Sequence, residues 1–289
     1  LSAMLMGTST YAWFSMNTNV TASGMQVKAK SDGGVAIAAY TTGDDNAAVA
    51  PEADTYASAA TAKWSNIGVV NGTTNLKVGE LYPTSFNGTS WFKAKAASAD
   101  SYVPGTATDE RASAIATGFD SYYFKTQFAV KSLDTSLDES GNVKKHDLYI
   151  SSVSVAGVSG SANLDKSIRV MVYIGGKYYT FAPLYDTLPT GTAVLKYQSA
   201  APTFNSDNVM TSNGEAAYTS SDKFYASKDN SALNIKVLDK TADGNELTPT
   251  EKTVEVYVYY EGCDPNCKSV NAFSIDTLSV NITFTTSGT

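Results

Sequence analysis

With 289 residues, the chain is long enough for one large all-β domain or two smaller ones. Charged residues make up 17%, and the net charge of −7 with a pI near 4.8 argues against a nucleic-acid partner, which calls for clustered positive charge. The same balance suits an exported protein at the cell surface or beyond it.

The chain opens on LSAMLMGTSTYAWFSM, and no side chain from Leu1 to Val27 carries a charge. A membrane-spanning helix needs roughly 20 apolar residues. Here the run is broken by Gly7, Thr8, Ser9 and Thr10 and ends by Asn17, so no membrane span is expected. Two readings remain. One is the tail of a secretory signal peptide, with Ala12 near a cleavage point. The other, preferred here, is an extended strand that leaves its parent domain: about thirteen residues at roughly 3.3 Å each reach some 43 Å. Strand addition satisfies the main-chain hydrogen bonds of an acceptor sheet and buries alternate side chains. Leu1, Ala3, Leu5, Tyr11 and Trp13 fall on one face of such a strand, and Met4, Met6 and Phe14 on the other.

Residues 25–30 (MQVKAK) and 35–40 (VAIAAY) alternate with period two around Asp32-Gly33-Gly34, which predicts a hairpin. Residues 41–61 are rich in Ala, Asp and Thr and read as a loop or a short helix. Trp64 and residues 76–81 lead through the turn Asn87-Gly88 to 91–95 (WFKAK). Residues 96–120 read as a long surface loop with one helical turn near 109–116. From residue 121 the alternation strengthens. Phe124, Thr126, Phe128 and Val130 share a face, opposite Lys125, Gln127 and Lys131. A polar excursion around Glu139–Asn142 precedes a long strand over 148–158. Ile168, Val170, Val172 and Ile174 then alternate with Arg169, Met171 and Tyr173 before Gly175-Gly176 turns the chain into 177–181. Residues 184–230 read as loop, and Leu188–Thr192 (LPTGT) as a turn within it. Strands follow over 233–238, 253–260 and 278–284, the last placing Asn281 on the outward face. No stretch keeps a 3.6-residue period. The expected fold is therefore all-β: a jelly-roll-like β-sandwich with loop insertions at 41–61, 96–120 and 184–230, and an extended N-terminal donor strand. Residues 1–20 form the donor strand and linker, and 21–289 the single sandwich domain. The core is expected to come mostly from the C-terminal half.

Cys263 and Cys267 flank Asp264-Pro265-Asn266, a spacing that suits a small disulfide loop in an oxidising compartment. The alternative is two free thiols or half a metal site, for which the chain's single histidine, His146, offers poor support. Four N-x-[S/T] sequons mark Asn19, Asn71, Asn87 and Asn281 as glycosylation acceptors if the source organism glycosylates exported proteins. No H-E-x-x-H, nucleophile elbow or phosphate-binding glycine loop occurs. His146, in the polar run 144–147, reads as a solvated loop residue, so no catalytic set and no cofactor are expected. The carboxylate pairs Asp44/Asp45 and Asp109/Glu110 offer at most weak Ca²⁺ binding. Tyrosine-rich runs at 122–123, 178–179 and 257–260 suit cross-strand pairs and subunit contacts, or stacking on sugars.

The opening TSTYAWFSMNTNVTASGMQVKAKSDGG resembles the N-terminal region of exported proteins of the TasA/camelysin type, with an AWF-like junction followed by V-x-A-x-G-M-x-V-x-A, here Val20 to Ala29. The closing VEVYVYYEGCDPNCKSVNAFSIDTLSVNITF is similar to the last strands of such proteins. The resemblance implies a jelly-roll domain and extracellular fibres in which each subunit's N-terminal strand completes the sheet of the next. In that family a dedicated signal peptidase cuts near the AWF-like junction, whereas residues 1–12 are present here. Camelysins have also been classed as metallopeptidases, an activity with no support in these residues. The expected function is a structural filament subunit whose partner is itself, head to tail. The alternative is a monomeric surface adhesin or carbohydrate-binding module facing a host or matrix ligand.

Overall fold

The computed structural model describes residues 20–21, 26–31, 34–42, 48–52, 55–63, 80–81, 84–86, 91–98, 101–104, 123–158, 166–183, 191–198, 203–204, 210–212, 234–261 and 279–286. These residues are strands and their connections, and none of them is in an α-helix. The all-β expectation holds.

Eleven strands share the principal sheet: β1 (Gln26–Ser31), β2 (Val35–Ala39), β3 (Ala59–Lys63), β4 (Phe124–Ser132), β5 (Leu148–Val158), β6 (Ile168–Ile174), β7 (Lys177–Ala182), β8 (Gly191–Gln198), β9 (Ile235–Leu238), β10 (Lys252–Tyr260) and β11 (Ser279–Thr285). Their spatial order is β2-β4-β10-β6-β7-β8-β5-β11-β1-β3, with β9 pairing the first residues of β5. Neighbours are antiparallel except β1 and β11, which run parallel with Val27 opposite Val280 and Ala29 opposite Ile282.

The period-two pattern decides which face of each strand is buried. Val254, Val256, Val258 and Tyr260 on β10 meet Ile168, Val170, Val172 and Ile174 on β6, and across the interior lie Val153, Val155, Val280, Ile282 and Phe284. Each such aliphatic or aromatic side chain contributes about 1.5–3 kcal/mol when fully buried. Before residue 121 the core draws only Val27, Ala29, Val35 and Ile37 from the described chain. Among the described residues, therefore, most of this core comes from beyond residue 121.

Two corners turn the sheet back toward itself into a nearly closed barrel. At the first, β8 changes partner along its length: residues 191–195 pair with β5, and Lys196–Gln198 pair with β7. The second lies at the turn between β1 and β2. The sequence predicts a paired hairpin here, but the two strands diverge, β1 joining β11 and β3 while β2 joins β4. Gly34 makes the divergence possible: its φ is +73°, and a Cβ there would stand 2.7 Å from the Thr286 hydroxyl.

The loop expectations need correction. Residues 41–61 hold a short pair, Thr41–Thr42 with Ala48–Val49, and then run into β3. Residues 184–230 hold the corner strand β8 and the pair Thr203–Phe204 with Met210–Ser212. Within 96–120, the strand Trp91–Ser98 turns back into Ser101–Pro104, while the helical turn expected near 109–116 lies outside the described residues. The Gly175-Gly176 hairpin is found as expected.

Strand directions give the barrel two distinct poles. At one, the loop pole, lie Gly34, residues 133–147, Gly175-Gly176 and residues 239–251. At the other, the entry pole, β1, β4, β6, β8 and β11 begin and β5, β7 and β10 end.

Candidate assembly surfaces

The residues of the expected donor strand, Leu1, Ala3, Met4, Leu5, Met6, Tyr11, Trp13 and Phe14, lie outside the described residues, as do Cys263, Cys267, Asn19, Asn71, Asn87 and the carboxylate pairs at 44–45 and 109–110. Asn281 is described. It sits half-buried on β11, opposite Ser154 of β5 and Lys28 of β1, on the face away from the core.

Three surfaces stand out. The first is the seam where the sheet meets itself. β2 and β3 end the strand order, and among the described residues one antiparallel bridge joins β2 to Ala57, two residues ahead of β3. Ile37 N–H donates to Ala57 O at 2.7 Å, and Ala57 N–H to Ile37 O at 3.0 Å. Just beyond it, Ser31 N–H donates to Ser58 O at 2.7 Å, and the chain passes into its ladder with β1. Tyr56 latches the loop-pole side: its hydroxyl donates to Glu251 at 2.5 Å, and Lys131 Nζ lies 3.7 Å from its ring centroid. Burial and the neighbouring Glu251 carboxylate raise the Tyr56 phenol above its usual pKa. Ala39 at the end of β2 and Ala60 in β3 are only partly buried against the core.

The second surface is the outer face of β10, β6 and β7. Tyr257, Tyr259 and Met171 form a buried cluster with Phe86 and Tyr123, and Tyr173 packs against it. Tyr178 lies edge-on to Phe86 at 4.8 Å and against Tyr173 at 4.5 Å between centroids. Glu255 anchors the polar margin, with Lys125 Nζ at 2.7 Å, Gln127 Nε2 donating at 2.9 Å and the Tyr257 hydroxyl at 2.5 Å. Burial raises the Glu255 carboxyl, but Lys125 and the donated hydrogen bonds outweigh it, so its pKa is lowered. Burial and the Glu255 carboxylate together raise the Tyr257 phenol. These groups already answer one another, as in a packed cross-strand cluster, which fits the expected tyrosine pairs better than a sugar-stacking platform.

The third surface is the loop pole. His146 pairs through its backbone with Leu247 and places Nε2 3.1 Å from Asp134. Lys145 bridges Asp243 at 2.6 Å and Glu246 at 3.6 Å, and Lys236 bridges Asp147 at 3.3 Å. His146 is therefore half-buried within a polar frame instead of fully solvated. The same frame presents Leu133, Leu137 and Val143 to water at 62%, 57% and 40% exposure. Sequence alternation gave no hint of these three, nor of Tyr56; an apolar residue recurring in a polar excursion was the one signal available.

Among the described residues no group of three or more His, Cys, Asp or Glu side chains is placed to hold a metal ion. No described helix is long and apolar enough to cross a membrane. No family model, no curated protein and no solved structure matches this chain.

Proposed function

We propose that the protein is the structural subunit of an extracellular filament, a pilus- or biofilm-matrix-like fibre assembled by donor-strand complementation. In this reading the N-terminal segment of one copy, with Leu1, Ala3, Met4, Leu5, Met6, Tyr11, Trp13 and Phe14, completes the sheet of the next. The observation that carries the reading is the seam. A ten-strand path comes back on itself, yet among the described residues only one bridge, from β2 to Ala57 just ahead of β3, joins its two ends, and Ala39 and Ala60 there are only partly buried. Strand edges without a ladder partner among the described residues, beside a partly covered core, are a template for another strand. An uncharged segment of the same chain supplies one, and its resemblance to TasA/camelysin-type N-termini points the same way. Because donor and acceptor surfaces differ, the contact is heterologous, and in this reading its rotation does not close a ring, so it propagates as a fibre.

Deleting residues 1–16 tests this. The full chain is expected to sediment as a polymer and to show fibres by negative-stain imaging. The truncated chain should remain folded by circular dichroism, sediment as a monomer and bind a peptide of residues 1–16 in trans. A full chain that stays monomeric at high concentration, or a truncated chain that still polymerises, removes the donor-strand reading and leaves the surface adhesin in its place.

A further inference from the structure

We infer that Tyr173 and Tyr178 form an oxidative cross-linking site, at which a one-electron oxidant of the peroxidase type joins the two rings by a carbon–carbon bond and staples β6 to β7. The bond lies within one chain and is independent of how copies assemble.

The two residues stand directly opposite each other across the hairpin, one rung from its Gly175-Gly176 turn. Residues so placed have Cβ atoms about 5 Å apart. Here the ring centroids are 4.5 Å apart and the planes are tilted by 38°. The tyrosine pairs Tyr123–Tyr257 and Tyr179–Tyr197 are wider, at 5.4 and 6.0 Å. Tyr178 is also the most exposed tyrosine among the described residues, at 39%, whereas Tyr123, Tyr179, Tyr257 and Tyr259 are buried. An oxidant in solution therefore meets the cluster at Tyr178. Tyr173, half-buried beside it, is the neighbouring phenol to which a radical can move.

The hydroxyl groups carry the argument beyond packing. Among the described residues neither the Tyr173 nor the Tyr178 hydroxyl makes a hydrogen bond, so phenylalanine would pack equally well at both positions. The phenol is what oxidative coupling requires. By contrast, the Tyr257 hydroxyl donates to Glu255 at 2.5 Å and the Tyr179 hydroxyl to the Val237 carbonyl at 3.3 Å. Burial, the Tyr173 phenol and the Glu255 carboxylate raise the Tyr178 phenol above its usual pKa. It therefore keeps its proton at neutral pH, and oxidation removes an electron and a proton together. The fixed negative charge of Glu255 favours loss of the electron.

In the reaction, Tyr178 gives an electron to the oxidant and its phenolic proton to water, leaving a phenoxyl radical. A hydrogen-atom equivalent then passes from Tyr173 to Tyr178, and a second oxidation of Tyr178 leaves two adjacent radicals. Their Cε atoms, ortho to oxygen, form the new bond. The two ring hydrogens displaced there move to the oxygens, which restores both phenols. Hydrogen peroxide, acting through the peroxidase, takes up the two electrons and two protons and becomes two waters.

Treating the full chain with a haem peroxidase and hydrogen peroxide, under conditions that couple free tyrosine, tests the site. Trypsin cuts after Lys177, between the two residues. Mass spectrometry should find peptides 170–177 and 178–196 joined with the loss of two hydrogens, and fragmentation should place the link at Tyr173 and Tyr178. The product should run as a single chain on a denaturing gel. Tyr173→Phe and Tyr178→Phe should each lower dityrosine fluorescence at least fivefold, and Tyr197→Phe should leave it unchanged. Coupling mainly between chains, coupling mainly at other tyrosines, no coupling at all, or full fluorescence in Tyr178→Phe would overturn the inference.

Discussion

Glu255 is the described carboxylate with the densest set of donors on the outer face, and its protonation has a predictable sign. Its folded-state pKa lies below the unfolded value of about 4.3. The stabilisation is therefore fully present above about pH 4.3 and is lost as pH falls through the lower folded value. Glu255→Gln should destabilise the barrel at neutral pH by about 1–2 kcal/mol, after discounting for partial exposure. The gap should narrow on acidification, read by chemical denaturation at pH 7 and pH 3; a gap independent of pH would show that the carboxylate charge is not what matters. The Gly175-Gly176 turn offers a cleaner steric comparison. Both residues have positive φ, +59° and +77°, but a Cβ at Gly175 would sit 2.1 Å from Asn245 Oδ1 and 2.9 Å from Leu238, whereas one at Gly176 meets nothing within 4 Å. Gly176→Ala should cost about 1–2 kcal/mol, the left-handed backbone penalty alone. Gly175→Ala should cost several kcal/mol more, because Asn245 and Leu238 must also move. Equal losses would refute the packing of residue 245 against this turn.

Among the elements, legibility in sequence followed partnership. Strands β4, β6, β10 and β11 each bury one face against a common core, so valine, isoleucine and phenylalanine fall at alternate positions and the period is visible. β3 and β8 lack that signature for physical reasons. β3 is a short end strand (AATAK) in which Ala59 and Thr61 are exposed and Ala60 is only partly buried, and β8 divides its length between two halves of the barrel while Val194 points outward. The β1–β2 connection reads as a hairpin because an Asp-Gly-Gly turn fits both a paired hairpin and a corner, and only the tertiary partners β11 and β4 separate the two. For the same reason the seam was invisible: Tyr56 gains its meaning from Glu251 and Lys131, both distant in sequence. Tyr56→Phe keeps the ring over which Lys131 lies and removes the hydrogen bond, so it should lower stability by about 1 kcal/mol. Tyr56→Ala should lose roughly 0.5–1 kcal/mol further as the cation–π contact goes. A double-mutant cycle with Glu251→Gln should give a coupling energy near the Tyr56→Phe loss, and additive effects would show that the latch does not hold the seam.

At the scale of the whole molecule, one core is wrapped by a sheet that turns two corners, so its protection against opening is uneven by construction. β10 lies between β4 and β6, and β5 between β11 on one side and β8 and β9 on the other, and their amides are shielded on both edges. The amides of Ile37 and Ala57 depend on a single bridge between β2 and the residues ahead of β3, with no second rung among the described residues. Native-state hydrogen exchange should therefore be slowest along β10, β5 and β6, at or near the global unfolding free energy. It should be faster at Ile37 and Ala57 by two orders of magnitude or more, because opening one bridge exposes few apolar contacts. Polymerisation supplies the sharper test. A donor strand seated on the seam adds hydrogen bonds to the edges of β2 and β3 that have no ladder partner among the described residues, so exchange in those strands should slow markedly in the polymer while β10 and β5 stay unchanged. Slowing confined to the loop connections, with the seam still exchanging as in the truncated monomer, would mean that subunits join by their poles alone and that the N-terminal segment completes no sheet.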